Sequence, residues 1–155
     1  MDQALLRAYL SAVYELPSSN GPVRASLDGD ATTDTALLPD LLRSEFAVVT
    51  AYNPRSMVLP RKTNEGRHFV MRDLLIIGCY RVEPCIGYEE NGEGTWREPS
   101  WLVHHMNRDE AIAYGRVFHQ NMVLVNRGAR PELVVTDYTF DDVGTTVVGH
   151  WRVRT

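Results

Sequence analysis

Glu98 is the residue of this sequence best suited to proton transfer. Trp96 and Trp101 flank it in the chain. Apolar walls raise the pKa of a carboxyl group towards neutrality, where the group can both donate and accept a proton. We therefore predict Glu98 as a catalytic acid or base. A structural salt bridge to Arg97 or Arg67, which would keep Glu98 ionised, is the alternative.

Three amide side chains and one arginine predict contacts with a polar ligand. Asn53 ends an apolar run, Asn64 stands at the expected start of a helix, and Gln120 lies between a helix and a strand. Each amide has a structural alternative, which is an Asx turn for Asn53, a helix cap for Asn64 and a partner for orphan carbonyls for Gln120. Arg67 is expected to orient an anion. These four residues are the predicted ligand-binding set.

No spacing in the sequence favours a metal or a cofactor. His104 and His105 are neighbours and point to opposite faces of a strand, so only one of them could join His119 or His68. A Gly-x-Ser-x-Gly elbow and a phosphate loop are both missing from the sequence. We predict neither a metal nor a cofactor, and the sequence leaves open whether the protein is an enzyme.

The composition is that of one globular domain over residues 1–155. Hydrophobic residues make up 44% and charged residues 23% of the 155. A net charge of −4 argues against nucleic-acid binding. No run of about 20 apolar residues could span a membrane. The first residues lack the pattern of a signal peptide, and two cysteines without paired spacing indicate a cytoplasmic protein.

The periodicity of apolar residues predicts an α+β fold, with one mixed sheet and helices packed on it. The core order is β-α-β-β-α-β, preceded by an N-terminal helix and followed by C-terminal strands. The expected early elements are a helix from the cap Asp2 through about Tyr14, a central strand over 46–52, and a helix from Thr63 or Asn64 through about Ile77 that ends at a left-handed Gly78. The residues expected to form the buried face of that last helix are Phe69, Val70, Leu74 and Ile77.

The later elements include one well-marked helix and several strands. Asn107 and Glu110 have the spacing of a capping box, which predicts a helix through about His119. Strands are expected at 79–88, 101–104, 122–125, 133–137 and 145–153. The last stretch, read as one exposed strand, suggests an alternative function, namely a non-catalytic accessory or inhibitory factor that pairs this strand with a protein partner or a second copy of itself.

Several phrases together resemble a known family. They are an N-terminal helix with Ala8-Tyr9, Asn64 at a helix start, Phe46-Ala-Val-Val-Thr-Ala-Tyr-Asn-Pro-Arg-Ser56, Trp96-Arg-Glu-Pro-Ser-Trp-Leu-Val103 and Phe118-His-Gln-Asn121. From about residue 5 to residue 135 the chain is similar to the bacterial family catalogued as domain of unknown function 3293. The resemblance implies no activity, cofactor or substrate. The residues themselves favour a domain that binds a small polar or anionic, nucleotide-like ligand.

Overall fold

A computed structural model describes residues 3–90 and 96–155 of the chain. Within these residues there are four α-helices and nine strands, and the order β3-α3-β4-β5-α4-β6 confirms the predicted α+β core. The elements are α1 (Gln3–Ser11), β1 (Val13–Leu16), β2 (Val23–Ser26), α2 (Asp40–Arg43), β3 (Glu45–Val49), α3 (Arg61–Ile77), β4 (Val82–Tyr88), β5 (Arg97–His104), α4 (Arg108–Val117), β6 (Met122–Arg127), β7 (Pro131–Val135), β8 (Thr146–Val148) and β9 (Arg152–Val153).

The strands form one curled sheet in the order β8-β7-β6-β3-β5-β4-β1-β2-β9. Every pairing between these strands is antiparallel. β3 lies between β5 and β6, as expected for a strand that is apolar on both faces. The sheet therefore places the end of β3 at its centre rather than at an edge strand, and the half-buried Asn53 follows four residues after Val49.

The C-terminal stretch closes the curl of the sheet. Residues 145–153 were expected to form one exposed strand, and this prediction is wrong, because β8 pairs with β7 and β9 pairs with β2 at opposite ends of the sheet order. Between them, the Gly149 amide donates to the Pro131 carbonyl at 2.9 Å and the His150 amide donates to the Leu27 carbonyl at 3.0 Å. The two ends of the sheet therefore meet here. Pairing of either edge with a partner stays a prediction.

Two apolar cores lie on the two faces of the sheet. Successive residues of β3 point to opposite faces, so Phe46 and Val48 belong to one core and Ala47 and Val49 to the other. The first core also packs against α1, through Leu6, Tyr9 and Leu10. The second contains the buried side chains of α3 and α4, namely Met71, Leu75, Ala111 and Ile112. None of the helices in the described parts of the chain is long and apolar enough to cross a membrane.

α1 is shorter than the sequence predicts. It ends at Ser11 rather than near Tyr14, because Val13 and Tyr14 enter β1 and pair with both β2 and β4. The β-branched and aromatic side chains at these two positions favour a strand. Asp2, the expected cap of the helix, lies outside the described residues.

α3 buries a different face from the predicted one. Its buried residues are Asn64, His68, Met71 and Leu75, whereas the predicted set of Phe69, Val70, Leu74 and Ile77 is exposed. The polar side chains Asn64 and His68 turn inwards, and the apolar side chains of the predicted face turn outwards. The helix also ends differently, because Gly78 has a φ of −72° and Cys79, with a φ of 62°, takes the left-handed position.

α4 begins as predicted, whereas β5 is longer than predicted. α4 begins with the predicted capping box, in which Asn107 accepts from the Glu110 amide and the Glu110 carboxylate accepts from the Asn107 amide. β5 begins at Arg97 rather than near Trp101, and it places Glu98 opposite Gly87 of β4. Glu98 therefore projects from a strand of the sheet, which fixes its position.

Candidate functional site

Asn53 is the centre of a polar network at the end of β3. Its main-chain amide donates to Oδ1 of Asn64 at 3.0 Å, and its Oδ1 accepts from Nδ2 of Asn64 at 2.8 Å. The same Oδ1 accepts from the Leu59 amide at 3.1 Å, while Asn64 also donates to the Leu59 carbonyl. Asn53 and Asn64 thus tie together the two ends of the loop 54–58, so Asn64 acts on loop geometry and not as a helix cap.

The remaining amide donor of Asn53 reaches Glu98. Asn53 Nδ2 donates to Glu98 Oε1 at 3.1 Å. Glu98 is 7% exposed, and burial raises the pKa of its carboxyl group to about 7, although hydrogen bonds from Asn53 and Trp96 act in the opposite direction. Among the described residues, no arginine forms an ion pair with Glu98. A carboxyl group held in this way is partly protonated at neutral pH.

The loop after Asn53 carries an unusual backbone. Asn53, Arg55 and Ser56 all have positive φ, at 42°, 52° and 59°. Residues with side chains adopt this region at a cost, and such strain concentrates at sites where function requires one geometry. The loop is held from the far side, because the Arg55 amide donates to the His119 carbonyl at 2.8 Å and the Arg55 guanidinium pairs with Asp137 at 2.9 Å. Contacts with the segment before β6 and with the segment after β7 therefore hold the strained backbone in place.

A cavity of about 330 Å³ lies beside Glu98. Its walls come from α1, from the strained loop and from the start of β5. The lining residues are Leu5, Ala8, Tyr9, Asn53, Ser56, Val58, Glu89, Trp96, Arg97 and Glu98. The cavity therefore combines apolar walls with a small number of polar groups, which is the usual make-up of a small-molecule site.

A second polar group faces the same cavity from α1. Burial raises the pKa of Tyr9 to about 12, the charge of Glu98 acts in the same direction, and hydrogen bonds with Asn121 and Ser56 lower it. Asn121 Nδ2 donates to Ser56 Oγ at 2.7 Å. The Tyr9 hydroxyl thus keeps its proton at neutral pH and can donate a hydrogen bond near Glu98.

Arg67 does not face the cavity. Its Nε donates to the Ala51 carbonyl at 2.8 Å and its Nη2 donates to the Phe118 carbonyl at 2.6 Å. The guanidinium also lies over the Phe118 ring, with 5.7 Å between Cζ and the ring centroid. Arg67 therefore joins the end of β3 to the end of α4. Of the arginines, Arg97 is the one that lines the cavity.

Gln120, which follows α4, also contacts the backbone after β3. It is buried, and its Nε2 donates to the Tyr52 carbonyl at 2.9 Å. The residue therefore satisfies a main-chain carbonyl directly before Asn53. Of the five predicted site residues, the structure brings Asn53, Asn64 and Glu98 into one hydrogen-bonded group, while Arg67 and Gln120 fix the backbone that carries it.

The sequence reasoning missed three polar residues of the cavity region: Tyr9, Ser56 and Asn121. Tyr9 fits the apolar stripe of α1, and its period gives no sign of a polar role. Asn121 stands next to Gln120 in the sequence, and only the direction of each side chain separates the two. The one signal in the sequence was the family resemblance, whose phrases contain Tyr9, Ser56 and Asn121.

The histidines are spread over the molecule. Within residues 3–90 and 96–155, no three His, Cys, Asp or Glu side chains come together in a way that could hold a metal ion. His104 contacts Glu83 at 2.5 Å on a different part of the sheet. His68 stacks on Trp101, with 4.3 Å between ring centroids, in the core beneath α3.

Comparison with known proteins gives one match. Residues 49–123 match the family model described as "Protein of unknown function (DUF3293)", which confirms the resemblance to that family over these residues, while the bacterial origin stays a prediction. The matched segment contains Asn53, Asn64, Arg67, Glu98 and Gln120, while Tyr9 lies outside it. No curated protein and no solved structure matches the chain.

Proposed function

Because residues 49–123 place this chain in the family of unknown function DUF3293, whose description names no activity, we propose a function from the geometry of the cavity. The cavity beside Glu98 binds a small polar or anionic ligand, and Glu98 exchanges a proton with it. The observation that carries the proposal is the buried Glu98 carboxyl group, which lines a cavity and has a pKa near 7.

The proton-exchange role rests on the surroundings of Glu98. A general acid or base works best when its pKa is near the working pH, and burial moves Glu98 to that range. Asn53 holds one carboxyl oxygen at 3.1 Å, so the group has a fixed direction. A structural carboxylate would be expected to have a cationic partner, and in the described residues Glu98 has none.

The shape of the cavity favours a ligand with two unlike ends. Leu5, Ala8 and Trp96 form apolar walls, which suit a ring or a short apolar chain. Tyr9 and Glu98 present a hydroxyl and a carboxyl group to the polar end. A volume of about 330 Å³ suits a molecule of nucleotide size or smaller.

Arg97 is the group that would contact an anionic part of the ligand. It is exposed at the cavity, and its Cζ lies 5.8 Å from the centroid of the Tyr88 ring. An arginine stacked on a ring keeps its donors available for a carboxylate or a phosphate. Arg97 therefore takes the role that the sequence analysis gave to Arg67. A cytoplasmic location, as expected from the cysteines, forms part of the proposal.

A thermal-shift screen with nucleotides, sugars and small carboxylic acids tests the proposal. A ligand that binds the folded chain raises its Tm with occupancy, so a compound at about 100 times its Kd stabilises by roughly 2.7 kcal/mol. We expect at least one compound to raise the Tm of the wild type. The Glu98→Gln variant should lose most of this shift.

Glu83→Gln provides the matched control. Glu83 is a half-buried carboxylate on β4, paired with His104 and away from the cavity. It should keep the full ligand-induced shift. If Glu98→Gln and Glu83→Gln keep the same shift, the ligand binds elsewhere and Glu98 has no part in its recognition.

A further inference from the structure

Two glutamates from neighbouring strands line the cavity beside α1. Glu98 lies on β5 and is paired with Gly87 of β4. Two residues beyond Gly87, the Glu89 amide donates to the Trp96 carbonyl at 3.2 Å, so the same pairing continues past the end of β4. Side chains two residues apart on a strand share a face of the sheet. Glu89, Trp96 and Glu98 therefore project from one face, and all three line the cavity.

The strand register sets the spacing of these two glutamates. Glu89 and Glu98 are diagonal neighbours across the strands, and such neighbours are separated by about 7–8 Å. A Cβ at Gly87 would lie 3.3 Å from the Trp96 ring and 3.6 Å from the Tyr14 ring, so the glycine lets the indole ring lie against the strand. Two carboxyl groups about 6.5–9.5 Å apart leave room for a sugar ring and a water molecule, as in inverting glycosidases.

The two carboxyl groups have opposite surroundings. Glu98 is 7% exposed, and burial raises its pKa to about 7, so the group can give a proton at neutral pH. Glu89 is exposed and lines the same cavity, and contact with water favours the carboxylate form of a glutamate. A buried acid near a solvated carboxylate suits the cleavage of a glycosidic bond, because one group gives a proton and the other accepts one.

We propose that the cavity binds a glycoside and that Glu98 and Glu89 together hydrolyse its glycosidic bond. This inference rests on the proposed function, because it uses the same cavity and the same exchange of a proton by Glu98. It adds the class of substrate, the reaction and a second reacting group. Glu98 is the general acid and Glu89 is the general base.

The reaction consumes one water molecule and needs no other reactant. Glu98 gives its proton to the leaving-group oxygen as the bond between that oxygen and the anomeric carbon breaks. Glu89 takes a proton from water as the water oxygen forms a new bond to the anomeric carbon. The products are a free sugar and an alcohol. Exchange with solvent then returns a proton to Glu98 and removes one from Glu89.

The other walls of the cavity suit a sugar with a small leaving group. The half-buried Trp96 offers an apolar ring surface beside both carboxyl groups, and the C–H face of a sugar ring is itself apolar. Asn53 supplies an amide at the same wall. The volume of about 330 Å³ lies at the lower end of the range of small-molecule sites. The cavity therefore fits a short glycoside rather than a long polysaccharide.

Hydrolysis of 4-nitrophenyl glycosides tests the proposal. The panel carries the common hexoses, pentoses and N-acetylhexosamines in both anomeric forms, and absorbance follows the release of 4-nitrophenol. We expect the wild type to hydrolyse at least one of them, and Glu98→Gln and Glu89→Gln each to lower kcat/KM by at least about 100-fold. Glu90→Gln is the matched control, because Glu90 pairs with Arg24 at 3.2 Å outside the cavity lining. It should leave kcat/KM unchanged.

Two further measurements separate the proposed roles from a loss of folding. Glu98→Gln should retain more activity on 2,4-dinitrophenyl glycosides than on phenyl glycosides, because a good leaving group departs without a proton. In Glu89→Ala, added azide should restore turnover and yield a glycosyl azide, because azide attacks the anomeric carbon without the help of a base. A purely structural role of either glutamate predicts neither result.

A wild type that hydrolyses no glycoside of the panel overturns this proposal. The thermal-shift screen then tells whether the proposed function falls with it. If a compound still raises the Tm of the wild type and Glu98→Gln loses this shift, ligand binding at the cavity stands without hydrolysis, whereas both proposals fail if no compound does. Equal losses of kcat/KM in Glu89→Gln and Glu90→Gln also overturn the proposal, as does full activity of Glu98→Gln on phenyl glycosides.

Discussion

α3 and α4 pack against the same core and use their polar residues in opposite ways. α4 buries Ala111, Ile112 and Gly115 and keeps its polar side chains outside, with Asn107 at its cap. α3 buries Asn64 and His68 together with two apolar residues. The difference shows that apolar periodicity locates a core face only when polar residues have no task inside the molecule.

The task of Asn64 in α3 is to build the loop that carries Asn53. Asn64 ties the loop ends together, and Asn53 then reaches Glu98. An apolar side chain at position 64 would add more buried apolar area, but it could not form these hydrogen bonds. Buried polar residues on the inner side of α3 are thus explained by the loop that Asn64 holds.

Two neighbouring leucines of α3 provide the strongest test of this comparison. Leu75 is fully buried and Leu74 is 41% exposed. Leu75→Ala should lower the free energy of unfolding by about 2–5 kcal/mol, whereas Leu74→Ala should cost less than about 1 kcal/mol. Urea unfolding of dilute protein measures both. A larger loss for Leu74→Ala than for Leu75→Ala would show that the face predicted from periodicity is the buried one.

Two asparagines compare the inner side of α3 with the cap of α4. Asn64 makes three hydrogen bonds in a buried position, so Asn64→Ala should cost about 2–4 kcal/mol by leaving buried groups of Asn53 without partners. Asn107→Ala removes an exposed helix cap and should cost about 1 kcal/mol. Equal losses in urea unfolding would show that the α3 network contributes no more than an ordinary cap.

The pH dependence of stability sharpens the account of Glu98. The folded chain raises the pKa of this carboxyl group from 4.5 to about 7 by burial, so the folded state binds the proton more tightly than the unfolded state. The contribution is therefore fully present below about pH 4.5, falls as pH rises to about 7 and stays level above that. The total loss is roughly 3–3.5 kcal/mol.

Glu98→Gln isolates this contribution, because the amide is neutral at every pH. The free energy of unfolding of the wild type relative to Glu98→Gln should decline between pH 4.5 and 7. Urea unfolding at a series of pH values measures it. A difference that is constant over this range would mean that Glu98 titrates alike in the folded and unfolded chain.

The smallest expected effect concerns the capping box of α4. Glu110 accepts from the Asn107 amide at 2.9 Å in an exposed position. Glu110→Ala should lower the free energy of unfolding by about 0.5–1 kcal/mol, less than any change on the inner side of α3. Thermal unfolding measures it. A loss larger than that of Asn64→Ala would show that the cap of α4 contributes more to stability than the inner side of α3.

The sequence predicts those parts of the fold whose signals are local. The apolar run of β3 and the capping box of α4 both lie within a few residues, and both elements were found, although β3 ends at Val49 rather than at Tyr52. The pairing of Asn53 with Asn64 spans eleven residues and leaves no periodic pattern, so the inner face of α3 could not be found. Residues 145–153 look like one strand, because only the curl of the sheet separates their two ends.

The residues of the candidate site also differ in whether a local signal in the sequence marks them. Glu98 could be singled out, because the tryptophans that flank it are visible in the sequence. Tyr9 could not, because its hydroxyl meets Ser56 and Asn121 only after α1 packs against the sheet. Arg67 was assigned to an anion from its charge alone, and the two carbonyls that it contacts come from distant elements.

The titration of the Glu98 carboxyl carbon by NMR tests the central claim most directly. The wild type, labelled with ¹³C at glutamate side chains, is followed from pH 3 to 9, and Glu98→Gln identifies the signal. The account predicts a midpoint near pH 7. A midpoint near 4.5, the ordinary value for glutamate, would mean that Glu98 is not held in a buried site suited to proton exchange.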